Sequence, residues 1–371
     1  MIIGVPKELK PQENRVALTP AGADALIRAG HRVLLETNAG YESGFDDKSY
    51  MEQGVEIKED PADVWKEADM ILKVKAPLKS EYAYFKEGLV IFTYFHLANE
   101  PELTKALMDS KAIAIAYETV ELPNRSLPLL TPMSEVGGRM AVQQGAIYLD
   151  KIHGGKGKLM DGVPGVPPAH VVIVGAGVVG TAALRRAVGL GARVTVLDIN
   201  IDRLTYLNEV FLGKIETLYS NNYNLAQIVK TADLLIGAVL IPGAKTPKLI
   251  TEDMVKEMEP GSVIVDVAID QGGCVATIDK PTTHENPTFV KHGVIHYAVG
   301  NIPGAVPQTS TLALTNVTLP YALKLANLGW KRALQEDYAL KKGANVVQGK
   351  ITYPAVSKAF NLDYTNIDSL L

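Results

Sequence analysis

The chain has 371 residues, of which 47% are hydrophobic, so it is long enough to form two domains with buried cores. Its 37 basic and 41 acidic side chains give a formal net charge of −4, and the lack of a basic excess argues against nucleic acid as a partner. The single cysteine, Cys274, excludes an internal disulfide and a multi-thiolate metal site.

The first residues, MIIGVPKELK, lack the basic region and long apolar core of a secretory signal. No apolar run approaches the ~20 residues that a membrane helix needs. We therefore expect a cytoplasmic protein with no membrane partner.

Short apolar runs alternate with helical periodicity in the first part of the chain, which predicts parallel strands joined by crossover helices. A Thr or Asn near the start of each predicted helix is a candidate cap. The predicted helices are 19–29 and 98–110, and the predicted strands are 30–37, 70–75, 90–96 and 111–118.

A second series of strands begins at Val171, with VVIV, ARVTVLD, ADLLIGAV, GSVIVDVA and GVIHYAV in order. Between the two series, residues 134–149 predict a connecting helix. The Gly/Pro-rich residues 153–168 predict either a surface flap or a lead-in to the second sheet. After Val299 the pattern becomes helical toward the C-terminus, with a kink expected at Pro320.

The strongest motif is VVIVGAGVVGTAALRRAVGLGARVTVLD, in which an apolar strand leads through a glycine turn into a helix. Gly175 would allow the tight turn, Gly177 would let the backbone approach a pyrophosphate, and Gly180 would permit close packing of helix on strand. The pyrophosphate would lie at the helix N-terminus, beside Val178 and Val179. The motif predicts a dinucleotide site.

Asp198 ends the next strand, where an acid accepts hydrogen bonds from the adenine ribose hydroxyls. A carboxylate there would repel a 2′-phosphate, so NAD is favoured over NADP, although the nearby Arg203 weakens this preference slightly. Residues that follow later strands would face the same crevice, including Val239, Leu240, Asp270 and Asn301. Asp270 would point toward the nicotinamide or else cap the turn into QGG.

Together these patterns predict an α/β protein of two Rossmann-like domains, each a mainly parallel sheet flanked by helices. The first domain would combine 1–133 with 306–371, and 134–305 would form the NAD-binding domain. The active site is expected in the cleft between them.

The substrate side of that site is predicted from the loop VPKELKPQENRVALTP, which crowds charge between two buried elements. Arg15 could grip a carboxylate through two parallel hydrogen bonds, although a surface salt bridge is the favoured interpretation when Arg15 is taken alone. Lys75 closes a strand and could hydrogen-bond a carbonyl oxygen. Lys73 points to the same face under strict alternation, so the sequence does not choose between the two lysines.

His96 ends the apolar run VIFTYFH and is either a packed core residue or a group held for chemistry. The same alternation places Tyr94 on its face. His292 and His296 have an i, i+4 spacing that suits zinc on a helix. The surrounding sequence predicts a strand, however, so no metal site is expected.

Six segments resemble the alanine dehydrogenase family in their order and spacing, and together they extend over nearly the whole chain. They are KELKPQENRVALTP, MILKVKAP, VIFTYFHLA, TPMSEVGGRMAVQQGA, VGAGVVG and VAIDQGG. The soluble subunit of proton-translocating transhydrogenase is similar in the first segment and in the two-domain plan. It differs in the connecting region, where SEVGGRMAVQQG has the dehydrogenase form.

The resemblance implies that Arg15 holds the substrate carboxylate and that Lys75 contacts its carboxylate and carbonyl region. His96 and Asp270 would be the catalytic pair, and Tyr94 and Met133 would border a pocket for a methyl group, with Asn301 nearby. The implied NAD contacts are Ser134, Asp198, Arg203, Ser220, Val239, Leu240, Val267, Ala268, Ile269, Asp270, Ala298, Val299, Gly300 and Asn301. The resemblance also implies a homohexamer.

The implied reaction is reversible: L-alanine, NAD⁺ and water give pyruvate, ammonium and NADH. Three alternatives remain: a transhydrogenase-like hydride-transfer subunit, a silent NAD-sensing module, and a 2-hydroxy-acid dehydrogenase. The last would also use a carboxylate clamp and a histidine. A requirement for ammonium would separate it from an alanine dehydrogenase.

Overall fold

The computed structural model describes residues 1–239, 246–269 and 272–371. The chain forms two compact units, Met1–Pro132 with Val306–Leu371, and Met133–Ala305. The functional assignment of the two predicted domains, and of a site between them, stays a prediction. No helix among the described residues is long and apolar enough to cross a membrane.

The first unit is built on a sheet of eight strands, numbered here along the whole chain. They are β1 (Ile2–Val5), β2 (Arg32–Glu36), β3 (Glu56–Lys58), β4 (Met70–Lys75), β5 (Val90–Tyr94), β6 (Ile113–Ala116), β14 (Ala344–Val347) and β15 (Lys350–Ile351). The spatial order is β15-β14-β6-β5-β4-β1-β2-β3. β1 to β6 pair in parallel, and β14 and β15 add antiparallel at one edge.

The central strands of this sheet are buried on both faces, as expected for parallel strands covered by helices. The helices of the first unit are α1 (Pro20–Arg28), α2 (Asp47–Met51), α3 (Pro61–Glu67), α4 (Pro101–Ser110), α10 (Pro307–Glu336), α11 (Tyr338–Gly343) and α12 (Pro354–Phe360). α1 begins where predicted, because the Thr19 hydroxyl accepts the Gly22 N–H at 3.2 Å as its cap.

The second unit holds a doubly wound sheet of seven strands. They are β7 (His170–Val174), β8 (Arg193–Asp198), β9 (Glu216–Tyr219), β10 (Leu234–Gly237), β11 (Val263–Asp266), β12 (Thr288–Lys291) and β13 (Val294–Tyr297). The order is β12-β13-β11-β10-β7-β8-β9, and only β12 is antiparallel to its neighbour among the described strands. The strand order reverses between β7 and β10, which is where open α/β sheets bind ligands.

The helices of the second unit are α5 (Thr131–Leu149), whose first two residues belong to the first unit, α6 (Val178–Gly189), α7 (Ile201–Val210), α8 (Asn222–Val229) and α9 (Glu252–Lys256). α5 confirms the connecting helix predicted over 134–149. Residues 154–168 lead into β7 without forming a helix or a named strand, and His153 ends a short 3-10 helix (Lys151–His153).

Four local predictions were wrong. The helix predicted from Ala98 begins at Pro101, and Glu100 occupies its N-cap position without a side-chain bond, so Asn99 is not a cap. The break in α10 lies at Gly329 (φ 73°, ψ 156°), where glycine tolerates the left-handed region, and not at Pro320. The C-terminal text includes β14 and β15 as well as helices. The strand predicted to reach His96 ends at Tyr94.

Candidate active site

The glycine turn of the second unit joins β7 to α6. Gly175 has a φ of +102°, which favours glycine, and a Cβ atom at Gly180 would collide with the carbonyl oxygen of Gly175. A Cβ at Gly177, by contrast, would meet no atom of the described residues within 4 Å. The space at Gly177 and the adjoining N-terminus of α6, which begins at Val178 and Val179, fit a bound pyrophosphate.

Asp198 ends β8 beside this turn. Its carboxylate accepts the Ala176 N–H at 2.7 Å and the Asn200 N–H at 2.9 Å. A carboxylate has about four acceptor positions, so two backbone bonds leave capacity for ribose hydroxyls. Ser220, the residue after β9, donates its N–H to the Asp198 carbonyl at 3.0 Å, which ties the ends of β8 and β9 together.

Arg203, in the first turn of α7, is also tied to the glycine turn. Its Nε donates to the Ala176 carbonyl at 2.9 Å, and its Nη2 donates to the Thr181 hydroxyl at 2.6 Å. The guanidinium carbon lies 4.9 Å from the centre of the Tyr206 ring. Arg203 therefore braces the backbone of the turn on the side where Asp198 binds it.

The remaining predicted cofactor residues follow the carboxyl ends of strands. Val239 follows β10, Val267, Ala268 and Ile269 follow β11, and Ala298, Val299, Gly300 and Asn301 follow β13. Leu240 and Asp270 lie outside the described residues. The segment after β11 is held by Asp266, whose buried carboxylate accepts three backbone N–H groups, from Ala268 (3.1 Å), Cys274 (2.8 Å) and Val275 (3.1 Å).

α5 approaches the glycine turn through its own glycine pair. A Cβ at Gly138 would collide with the carbonyl oxygen of Val179 in the first turn of α6. Met133 and Ser134 lie at the start of the same helix, where Met133 is buried and Ser134 is half-buried. The close approach explains why the segment SEVGGR carries small residues at this point.

On the substrate side, Arg15 is buried rather than part of a surface salt bridge, so that simple interpretation was wrong. Its Nε and Nη2 donate to the two Glu13 oxygens, each at 2.6 Å, and its backbone N–H donates to Glu13 at 3.2 Å. Burial raises the pKa of Glu13, but the hydrogen bonds and charge of Arg15, with the charge of Lys75, outweigh it and lower that pKa. Arg15 and Glu13 therefore form a charged pair in a water-poor site.

A β-bulge separates the two candidate lysines. Leu72 lies opposite Phe92 and Lys75 lies opposite Tyr94, so β4 has one extra residue between these pairs. The simple alternation that puts Lys73 and Lys75 on one face does not hold through this bulge, and the lysines meet different partners.

Lys73 is fully buried and forms ion pairs with Glu81 (3.1 Å) and Glu8 (3.4 Å). Burial raises the pKa of Glu8 despite the opposing charge of Lys73. Lys75 is half-buried and interacts electrostatically with Glu13. Lys75 is thus the lysine associated with the Arg15 pair, whereas Lys73 is committed to an internal triad.

His96 lies just beyond β5 in the left-handed region, with φ 54° and ψ 40°, so the two-residue alternation with Tyr94 does not apply. The two rings nevertheless stack, with centroids 6.2 Å apart and planes 11° from parallel. The buried Tyr94 hydroxyl donates to the Leu129 carbonyl. Burial raises the pKa of Tyr94, and the Arg15 charge only partly opposes this.

The first unit therefore gathers Arg15, Lys75 and His96 around Tyr94. Nearly half of the His96 side chain (48%) is exposed, so His96 is not a packed core histidine. Three carboxylates hold these groups: Glu8 and Glu13, which the sequence marked only as charges of the crowded loop, and Glu118, which sequence reasoning missed. The signal was present in part, because Glu118 directly follows the apolar run IAIAY and lies two residues after the end of β6, as His96 lies two residues after the end of β5.

The doubly wound sheet, the glycine turn and the strand-end carboxylate define the second unit as a domain of the dinucleotide-binding class. Comparison with known proteins gives the family. Sequence models described as "Alanine dehydrogenase/PNT, N-terminal domain" and "Alanine dehydrogenase/PNT, C-terminal domain" match residues 4–137 and 141–354. The chain belongs to the alanine dehydrogenase/PNT family.

Individual relatives agree with this assignment. An alanine dehydrogenase of Methanococcus maripaludis is 62% identical over 371 residues, covering 100% of both chains. A solved L-alanine dehydrogenase is similar with a TM-score of 0.94 and 53% identity over 97% of this chain and 99% of that one. A transhydrogenase from Sinorhizobium meliloti has a TM-score of 0.82 and 24% identity over 96% and 100%, which shows a shared fold.

Proposed function

We propose that the protein catalyses the NAD-dependent, reversible oxidative deamination of L-alanine to pyruvate and ammonium. The observation that carries this proposal is the cluster of Arg15, Lys75 and His96 around Tyr94. It occurs in a chain that is 62% identical over its full length to a curated alanine dehydrogenase. A carboxylate clamp, a carbonyl ligand and a proton carrier are the groups that interconversion of an amino acid and a keto acid requires.

NAD would occupy the glycine turn of the second unit and supply hydride transfer. Gly177 and the N-terminus of α6 would bind the pyrophosphate, and Asp198 would accept the ribose hydroxyls. Because Asp198 also carries a negative charge, it would disfavour a 2′-phosphate and thus NADP. The contacts proposed for Ser134, Arg203, Ser220 and the residues after β10, β11 and β13 rest on the family resemblance.

On the substrate side, Arg15 would bind the carboxylate of pyruvate or L-alanine. Its guanidinium keeps a full charge and is oriented by Glu13, so little reorganisation is needed on binding. Lys75 would hydrogen-bond the keto oxygen and stabilise negative charge as ammonia adds to the carbon. The roles of Met133 and Asn301 beside the substrate remain predictions.

His96 would carry the protons of the reaction. In the reductive direction ammonia adds to the keto carbon, and the resulting carbinolamine must lose its hydroxyl as water. Loss of the hydroxyl as water needs a proton, which an imidazole can deliver and can take back in the reverse direction. Asp270 would stabilise the cationic imine, a role taken from the family resemblance.

The substrate is expected to be small because the family resemblance implies that Tyr94, whose ring stacks on His96, and Met133 border a pocket for a methyl group. One extra methylene changes specificity by only ~1–3 kcal/mol, so slightly larger amino acids should react slowly. We further propose a cytoplasmic homohexamer of the 40.0 kDa chain, on the strength of the family resemblance. Sedimentation equilibrium would measure its mass.

A coupled assay tests the proposal. NADH oxidation by the purified protein with pyruvate should require ammonium, and NAD⁺ reduction should require L-alanine. Oxidation of NADH by pyruvate without ammonium would instead indicate a 2-hydroxy-acid dehydrogenase. Binding of NADH without turnover of any amino or keto acid would favour the transhydrogenase-like subunit or the silent sensor.

A further inference from the structure

Glu118 lies in the short turn that follows β6, next to the turn that carries His96. β5 and β6 are parallel neighbours, with Thr93 paired to Ala116, so residues two positions further along each chain reach the same edge of the sheet. The Glu118 carboxylate accepts the Phe95 N–H at 3.2 Å and the His96 N–H at 2.6 Å. One side chain therefore binds two consecutive backbone donors.

These two bonds explain the unusual backbone of His96. A residue other than glycine rarely adopts a φ of 54°, and this conformation persists only when the surrounding structure enforces it. Glu118 is nearly buried, with 13% of its side chain exposed, so its bonds to Phe95 and His96 compete little with water. The carboxylate thus fixes the direction in which the His96 side chain leaves the backbone.

Glu118 also faces one edge of the imidazole. Its Oε1 lies 4.0 Å from His96 Nδ1, which is within electrostatic reach and beyond a direct hydrogen bond. A negative charge on this side favours a proton on Nδ1. With the ring plane set by stacking on Tyr94, Nε2 is the nitrogen at the opposite edge of the ring.

The same arrangement recurs at the other two substrate-side residues. The Arg15 N–H donates to Glu13 at 3.2 Å, and the Lys75 N–H donates to Glu8 at 3.4 Å. Arg15, Lys75 and His96 are therefore each held at their own backbone N–H by a buried or nearly buried glutamate. The same glutamate-to-backbone contact at three positions is expected of a preorganised site and not of a single chance contact.

We propose that Glu118 is a positioning residue for His96 and that it assigns Nε2 as the nitrogen that exchanges protons with the substrate. The inference rests on the proposed function. In the reductive direction the Nε2 proton passes to the carbinolamine hydroxyl as the C–O bond breaks. The lone pair of the carbinolamine's amino nitrogen then forms the C=N bond. Water leaves and His96 becomes neutral, with Nδ1–H still facing Glu118.

Glu118→Gln tests this role with nearly unchanged side-chain size. The glutamine oxygen can accept only one of the two backbone hydrogen bonds that the carboxylate accepts. The glutamine NH₂ group would face the other backbone N–H, and two donors cannot bond to each other. We expect kcat to fall by about 10–100-fold, as for other residues that orient a reactive group. The KM for pyruvate and the Kd for NADH should change less than about twofold. The control is Glu102→Gln, which removes an exposed partner of Lys79 and should leave kcat unchanged.

A double-mutant cycle separates positioning from a general structural role. If Glu118 acts through His96, adding Glu118→Gln to His96→Asn should cause no further loss of kcat. Equal losses in both backgrounds, or a Glu118→Gln protein as active as the wild type, would overturn the proposal. If Glu118→Gln folds poorly, Glu118→Asp replaces it in the cycle, with a smaller loss of kcat and the same absence of additivity expected.

The wild-type assay separates this inference from the proposed function. A wild-type protein without ammonium-dependent activity refutes the function, and the role of Glu118 falls with it. An active wild type with an additive Glu118→Gln effect refutes the positioning role alone.

Discussion

The Arg15 guanidinium and the Glu13 carboxylate form a buried ion pair through two hydrogen bonds, each 2.6 Å long. A guanidinium matches a carboxylate with a planar fork of donors, whereas an ammonium is a single point charge. The pair therefore restricts which cation this position accepts, since a replacement must satisfy Glu13 as well as the substrate.

Arg15→Lys should raise the KM for pyruvate by about tenfold or more. Lysine cannot make the two parallel hydrogen bonds that we propose from Arg15 to the substrate carboxylate, and a charged hydrogen bond contributes about 1.5–3 kcal/mol. Steady-state kinetics at saturating NADH and ammonium would measure it. Arg28→Lys, at an exposed pair with Asp24, is the matched control. An unchanged KM would mean that Arg15 does not bind the substrate carboxylate.

Asp198→Ala should raise the ratio of kcat/KM for NADPH to that for NADH by about tenfold or more, because it removes a charge that repels the 2′-phosphate. The two coenzymes would be compared in the same pyruvate and ammonium assay. Asp202→Ala, which removes an exposed acid in the first turn of α7, serves as the control. If the preference does not change, Asp198 does not contact the ribose.

Gly177→Ala should fold normally but bind NADH at least about tenfold more weakly. The added methyl meets no described atom of the protein within 4 Å, so its effect should fall on the ligand that approaches the turn. Gly189→Ala, also in open space at the far end of α6, should leave binding intact. NADH fluorescence titration and thermal unfolding would measure both variants. Equal affinities of the two variants would place the pyrophosphate elsewhere.

His296 should make stability depend on pH. Its ring is fully buried between the Thr277 hydroxyl (2.8 Å from Nε2) and the Val294 carbonyl (2.9 Å from Nδ1), and burial lowers its pKa to about 4. The unfolded chain binds the proton near pH 6.5, so this contribution is complete above that pH and is lost as the pH falls toward 4. The slope in this window is at most about 1.4 kcal/mol per pH unit.

His296→Gln should therefore flatten the pH dependence of the urea midpoint between pH 6.5 and 4.5. His153→Gln changes an exposed histidine and should leave that dependence as in the wild type. Parallel curves for the wild type and His296→Gln would show that the buried imidazole does not control stability in this range.

Most of the strands and the dinucleotide turn could be predicted from the sequence because their signals are local, whereas the short β3 and β12 were not predicted. β4 was predicted with its bounds, and the glycines of the turn have the spacing that their geometry requires. β14 and β15 could not be predicted in the same way. They are short, and β14 pairs with β6 more than 200 residues earlier in the chain.

The reactive side chains of the candidate site could be predicted from the sequence, but the contacts that position them could not. Arg15, Lys75 and His96 could be selected as charged or titratable residues at the ends of apolar runs. The choice of Lys75 over Lys73 depends on a bulge, which is set by the register of a neighbouring strand. The backbone of His96 depends on Glu118, a residue on a different strand connection, and no pattern around position 96 contains it.

The left-handed backbone at His96 limits which amino acids evolution or mutagenesis can place there. Asparagine adopts a positive φ far more readily than alanine or a β-branched residue, for which the same conformation costs on the order of 1 kcal/mol or more. His96→Asn should thus remove the imidazole while the loop keeps its path, whereas His96→Val should also distort the loop. Losses of activity at this position consequently have two sources, chemistry and backbone shape, and the asparagine variant isolates the first.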